Sequence, residues 1–240
     1  MKTGIFLSYK GLGSNLLHLS YCHEIAKKFG PVSLITLNSK LNEVLSDDPN
    51  FKEVICLEEF HKKLKDVFKL SKFLKTLDLK NLFIFYPSLR YLLSGKIAGI
   101  ENIYHYPLFK KKNLHLVKTA KIFTEKCLNI KECPTEAKIF VDSKKIKKSE
   151  KNNFKKIILG IGSSGPTTKW GYRNYISLIK KLNEYNKFFF YLLCGPDEDE
   201  DAQKIIKEIG KENCESLGNK SIYEVRNYIS ISKIYIGNDS

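Results

Sequence analysis

Arginine is almost missing from this chain. Only three of its 41 basic side chains are arginine, at positions 90, 173 and 226, and the others are lysine. Sequence-specific nucleic-acid readers depend on bidentate guanidinium contacts. The scarcity therefore argues against a nucleic-acid partner, although the formal net charge is +15. Long apolar runs are missing too. The longest beside a predicted strand, 188–194, falls far short of the roughly 20 residues that cross a bilayer. The six cysteines contain no CxxC pair and no zinc spacing. Cys22, Cys56 and Cys194 lie in apolar runs and read as buried thiols, which suits a reducing, cytoplasmic compartment. The N-terminus runs straight into a predicted strand, so no leader peptide is expected.

What remains is a lysine-, isoleucine- and asparagine-rich chain of 240 residues, 42% of them hydrophobic. That is enough for one large or two small domains with real cores. The lysine excess reads as compositional bias or as attraction to an anionic surface such as phosphorylated lipid. The most informative stretch is IILGIGSSGPTTKW at 157–170. A short β-branched run enters a loop of small and hydroxylic residues, and a helical pattern follows. Such a loop lets a ligand approach the backbone, offers helix N–H groups to an anion and adds a lysine for phosphate. An ordinary strand-to-helix turn is the plain alternative.

Elsewhere strands and helices alternate, as in a parallel sheet covered on both faces. Strands are expected at 4–8, 32–37, 54–57, 82–86 and 100–104. A helix is expected at 16–29 with Ser14 as its cap, and further helices at 41–45, 59–77, near 91–93 and at 115–128. Residues 142–156 are polar and lysine-dense, and read as a basic linker between domain 1–141 and domain 157–240. In the second domain, helices are expected at 172–185, at 202–209 and after a capping box at Ser221 and Glu224. Strands are expected at 157–161, 188–193, 214–217 and 231–236. The sequence stops at Gly237-Asn238-Asp239-Ser240, where a binding loop is expected, and reads as truncated.

Three stretches carry a resemblance. GLGSNLLHLSYCHEI at 11–25 is similar to a Gly-Asp-containing first loop and helix. LGIGSSGPTTKWGYRNYISLIKKL at 159–182 is similar to the start of a donor domain. LLCGPDE at 192–198, with SIYEVRNYISISKIYIGNDS at 221–240, is similar to its later loops. Together they resemble the ADP-heptose lipopolysaccharide heptosyltransferases, glycosyltransferase family 9. The resemblance implies an α/β fold of two Rossmann-like domains (GT-B), the second incomplete.

By that resemblance the protein is an inverting, metal-independent glycosyltransferase with no cofactor. Its co-substrate is a nucleotide-diphosphate sugar such as ADP-heptose. Ser163, Ser164 and Lys169 would meet the diphosphate, Glu198 a ribose or base edge, and Asp239 and Ser240 would begin the last donor loop. Lys10 and Gly13 would belong to the acceptor loop. The implied partners are the nucleotide sugar and a lipid-linked or lipopolysaccharide acceptor. The implied setting is a cytoplasmic monomer in peripheral contact with an anionic membrane. The chain departs from the family in places. Thr168 stands where the family often has lysine, and the Gly-Pro-x-His continuation is not in the sequence. Ser14 replaces the family's basic aspartate, and a serine hydroxyl is a poor base near neutral pH. His18, one helical turn on, is the expected substitute, with surface or packing duty as its alternative. A catalytically degenerate nucleotide-sugar binder is the competing function.

Overall fold

A computed structural model describes residues 2–57, 66–108, 114–141, 154–163 and 165–238. The chain divides into two compact units, Met1–Phe140 and Val141–Ser240. Over 142–153 the basic stretch lies outside the described residues.

The first unit carries β1 (Thr3–Leu7), β2 (Val32–Thr36), β3 (Phe51–Cys56), β4 (Asn81–Ile84) and β5 (Asn102–His105). All pair in parallel, in the order β3-β2-β1-β4-β5. Its helices are α1 (Leu12–Leu16), α2 (Leu19–Phe29), α3 (Lys40–Leu45), α4 (Asp66–Thr76), α5 (Leu89–Ile97) and α6 (Leu116–Leu128). β1 and β2 are buried at every position, as strands covered on both faces must be. Phe6, Ile35, Leu82 and Ile84 pack against Leu70 and Leu74 of α4 and Tyr91 of α5. On α2 and α6, Phe29 and Phe123 meet Phe83 and Phe85 of the sheet region. The Tyr21 hydroxyl joins those two helices by donating to the Val117 carbonyl at 2.9 Å.

The second unit carries β6 (Lys155–Gly160), β7 (Phe188–Leu193), β8 (Cys214–Ser216) and β9 (Ile234–Gly237), parallel in the order β8-β7-β6-β9. α7 (Tyr172–Tyr185) and α8 (Asp199–Ile209) cover one face. There Tyr175, Ile179, Ala202 and Ile205 pack on Ile157, Leu159, Phe190 and Leu192. α9 (Ile222–Ile231) covers the other through Val225, which meets Ile158 and Tyr191. In both sheets strand order reverses beside the first strand of the unit. That reversal, outside the strands' carboxyl ends, is where ligands of doubly wound sheets bind.

Several expectations need correction. The first helix is two helices, with Ser14 inside α1 and making no side-chain cap. The acids Asp199, Glu200 and Asp201 extend α8 backwards because they complement the positive helix start. β9 begins at Ile234, since α9 runs to Ile231. α4 begins at Asp66 among the described residues, and 58–65 of the expected helix lie outside them. The Ser221–Glu224 capping box forms as expected. Cys22 is buried, but Cys56 and Cys194 are only half-buried. The fully covered thiols besides Cys22 are Cys133 and Cys214.

Candidate functional site

Small residues leave β6 at its carboxyl end, Gly162 and Ser163 among them. Pro166–Thr168 form one tight turn before α7. Lys169 and Trp170 fall between that turn and Gly171, whose φ of 89° caps the helix as a side chain could hardly do. From the end of β7, Gly195 leads into a second turn, Pro196–Glu198.

These two loops meet at Glu198. Its Oε1 lies 2.8 Å from Nζ of Lys169. Its Oε2 accepts the Gly195 N–H at 3.1 Å, and the Ser163 N–H also binds the carboxylate. The Glu198 side chain is 9% exposed, that of Lys169 35%. Ion pairing with Lys169 holds the carboxyl below its ordinary range, and the same bond raises the ammonium. A Cβ on Gly162 or on Gly195 would come within 3.2 Å of Oε2. The glycines therefore make room for the acid as well as for any ligand. Ser163 Oγ contacts Thr168 Oγ1 across the same loop.

Asn238, just after β9, ties the third loop to the first. Its Oδ1 accepts the Trp170 N–H at 3.0 Å. Its Nδ2 donates to the Ile161 carbonyl at 2.8 Å, and its own N–H donates to Gly160 at 3.0 Å. The Tyr175 hydroxyl stands 2.9 Å from the Gly160 carbonyl and 3.0 Å from that Oδ1, so one hydrogen faces two acceptors. Trp170 meets Tyr175 edge-on and is 48% exposed.

Of the expected donor residues, the structure thus joins Ser163, Lys169 and Glu198. Ser164, Asp239 and Ser240 lie outside the described residues. The sequence showed Asn238 only as part of its closing stretch and gave it no role, because its partners lie some 60 to 80 residues away. The Gly-Asn pair ending a strand was the available signal.

In the first unit the loop after β1 is held by buried Asn15. Its Nδ2 donates to the Tyr9 and Gly11 carbonyls at 2.9 and 2.7 Å, and its Oδ1 accepts from Thr36 at 3.0 Å. Lys10 is exposed, and its carbonyl accepts from Asn38 at 2.6 Å. Gly13 is exposed within α1, and Ser14 is half-buried beside it. His18 does not suit the substitute-base role. It is fully buried, stacked on Tyr9 and edge-on to Phe85. Its Nδ1 lies 2.7 Å from the Ser14 carbonyl, an acceptor, so that nitrogen carries the proton. Nε2 lies 3.3 Å from the Tyr106 hydroxyl. Burial lowers its pKa to about 4, with the Ser14 bond opposing. His23, with no partner visible in the sequence, pairs with Asp48 at 2.7 Å. His115 caps α6. Among the described residues no three metal-ligating side chains converge, and no helix is long and apolar enough to cross a membrane.

Residues 101–240, more than half of the chain, match the profile of glycosyltransferase family 9 (heptosyltransferase). No curated protein matches the sequence significantly. Among solved structures the chain is similar to Escherichia coli ADP-heptose LPS heptosyltransferase II. They share 16% identity and a TM-score of 0.69, over 100% of this chain and 80% of that one. It is also similar to a family 9 glycosyl transferase from Veillonella parvula, with 14% identity and a TM-score of 0.73, over 100% and 75% of the two chains. The E. coli heptosyltransferase WaaC with ADP gives 14% and 0.72, over 100% and 82%. At such identities the likeness is one of fold. A Neisseria meningitidis UDP-GlcNAc 2-epimerase, at 11% and 0.52, shares much of it over 99% and 77%.

Proposed function

The chain belongs to glycosyltransferase family 9, and from that membership we propose that it transfers a heptose from a nucleotide-diphosphate donor to a lipopolysaccharide-type acceptor. ADP-heptose is the donor this reading takes. An acceptor hydroxyl attacks the anomeric carbon from the side opposite the diphosphate. The carbon–oxygen bond to the diphosphate breaks, its electron pair leaves with the phosphate, the acceptor hydroxyl gives up its proton to water, and configuration inverts.

The leaving group gains negative charge, so fixed donors and a cation at its oxygens favour the transition state. The observation that carries the reading is the meeting of Lys169 and Glu198 beyond the carboxyl ends of β6 and β7, the two strands their loops leave. Lys169, Ser163 and Ser164 receive the diphosphate, with Lys169 supplying the positive charge without a metal. As Lys169 turns to the phosphate it releases Oε1 of Glu198, which then meets the ribose. Asp239 and Ser240 close the donor loop. Lys10 and Gly13 face the acceptor in the first unit. The protein works as a cytoplasmic monomer beside the membrane that carries its acceptor.

Ser14 in place of an acid favours a second reading, in which the chain binds nucleotide sugar without turning it over. Calorimetric titration of ADP and ADP-heptose into the chain and into Lys169→Ala tests the donor site. Binding lost in the variant supports it, and no binding by either protein overturns it. Turnover of ADP-heptose with a lipopolysaccharide acceptor then separates transferase from binder.

A further inference from the structure

Helix α5 turns an apolar stripe outwards. Leu89, Leu93 and Ile97 recur every four residues and are 56%, 41% and 51% exposed. At 3.6 residues per turn they share one face, opposite the buried Tyr91, Ser94 and Gly95. They are not the margin of a core contact. On the same helical wheel Arg90 flanks the stripe on one side and Lys96 on the other. α4 lies alongside, joined where Ser94 Oγ donates to the Val67 carbonyl at 3.1 Å. The residue after Val67 is Phe68, 64% exposed. It shares its face with the exposed Lys72 and Lys75, and Lys69 is exposed beside it. Among the described residues of both helices the only acid is Asp66, against Lys69, Lys72, Lys75, Arg90 and Lys96.

Large apolar side chains standing among cations match one environment well, the headgroup layer of an anionic bilayer. The apolar groups enter the acyl boundary and the lysines stay at the phosphates. A second copy of this chain would bring the same cations face to face, which disfavours self-association through this surface. We propose that the α4–α5 face of the first unit docks on anionic phospholipid. The inference rests on the reading that the acceptor is membrane-borne, and it names the surface that reaches that membrane.

The test uses the chain with phosphatidylcholine vesicles, with and without phosphatidylglycerol, in a sedimentation assay at low and high salt. Salt-sensitive binding to the anionic vesicles alone is expected. Leu89→Ser/Leu93→Ser/Ile97→Ser and, separately, Lys69→Gln/Lys72→Gln/Lys96→Gln should each weaken it about tenfold or more. Lys181→Gln/Lys187→Gln/Lys207→Gln removes as much charge from the second unit and should leave binding intact. Circular dichroism and ADP titration of every sample separate this surface from folding and from the donor site. Three results overturn the proposal: no vesicle binding by a chain that binds ADP, equal loss in the second-unit variant, or full binding by folded stripe variants. Light scattering that shows a dimer abolished by the serine changes would also overturn it, giving the stripe to a second copy.

Discussion

Lys169 and Glu198 leave different strands, yet their charged atoms lie 2.8 Å apart, with the acid almost covered and the lysine partly open to solvent. The acid is anchored by backbone N–H groups from both loops. The lysine is therefore the partner free to move towards a phosphate. Replacing it with alanine should weaken ADP binding about tenfold or more, the usual cost of a charge-assisted contact. Isothermal titration of both proteins measures the ratio. Unchanged affinity would remove Lys169 from the donor site.

Acid should loosen the first unit through His18. Its folded pKa of about 4 lies below the ordinary histidine value near 6.5. Between those values the unfolded chain binds more protons, so stability is complete above pH 6.5 and falls as pH drops towards 4. The loss at pH 5 should be about 2 kcal/mol. Urea unfolding at pH 7 and pH 5 reads it, and His18→Gln should shrink the difference.

Glu198 gives a second pH signature in the other unit. Its carboxyl is held below the usual range, so its contribution is present at neutral pH and is lost in acid, below the ordinary glutamate value of about 4.3. Glu198→Gln should lower the neutral melting temperature and flatten its decline in that acid range. A scan of melting temperature against pH compares the two proteins.

Asn238→Ala should destabilise the second unit by about 2 kcal/mol, because the Trp170 N–H and the Ile161 carbonyl lose a partner together. Asn238→Asp should do no better, since a carboxylate would replace the amide that donates to Ile161. Hydrogen exchange at the Trp170 amide should accelerate in both variants.

At position 14 an acid should help. If proton removal from the acceptor limits turnover, Ser14→Asp should raise the rate with ADP-heptose, and Ser14→Ala should leave it nearly unchanged. Initial rates at saturating donor distinguish these outcomes. An inert Ser14→Asp protein would point to a base elsewhere.

The alternation of strands and helices was plain in the sequence because buried parallel strands are nearly continuous apolar runs, as in 157–161. α7 matches its predicted bounds, since Gly171 and Asn186 bracket a strong amphipathic pattern. The first helix was misread because nothing in Ser14-Asn15-Leu16 announces that Asn15 will turn inwards to hold the loop. Lys169 and Glu198 were each picked out, but their contact joins residues 29 positions apart through tertiary folding. Helical spacing put His18 on the Ser14 face but left base and packing roles open, because it reports a face and not what packs on it; the packing role is the one the structure shows. The surroundings of Tyr9, Phe85 and Tyr106 come from three different strand ends.

The register that sets Gly160 opposite Gly237 also fixes an order of events. β6 finishes first in its unit, and its neighbour β9 is synthesised only after α7, β7, α8, β8 and α9. Non-local pairings of this kind close late. On the ribosome the sheet grows from β6 towards β7 and β8 while the Gly160 carbonyl waits for the Asn238 amide. The bracing of the candidate donor loops thus follows the β6–β7–β8 pairings, and an emerging chain completes it only when Asn238 has cleared the exit tunnel.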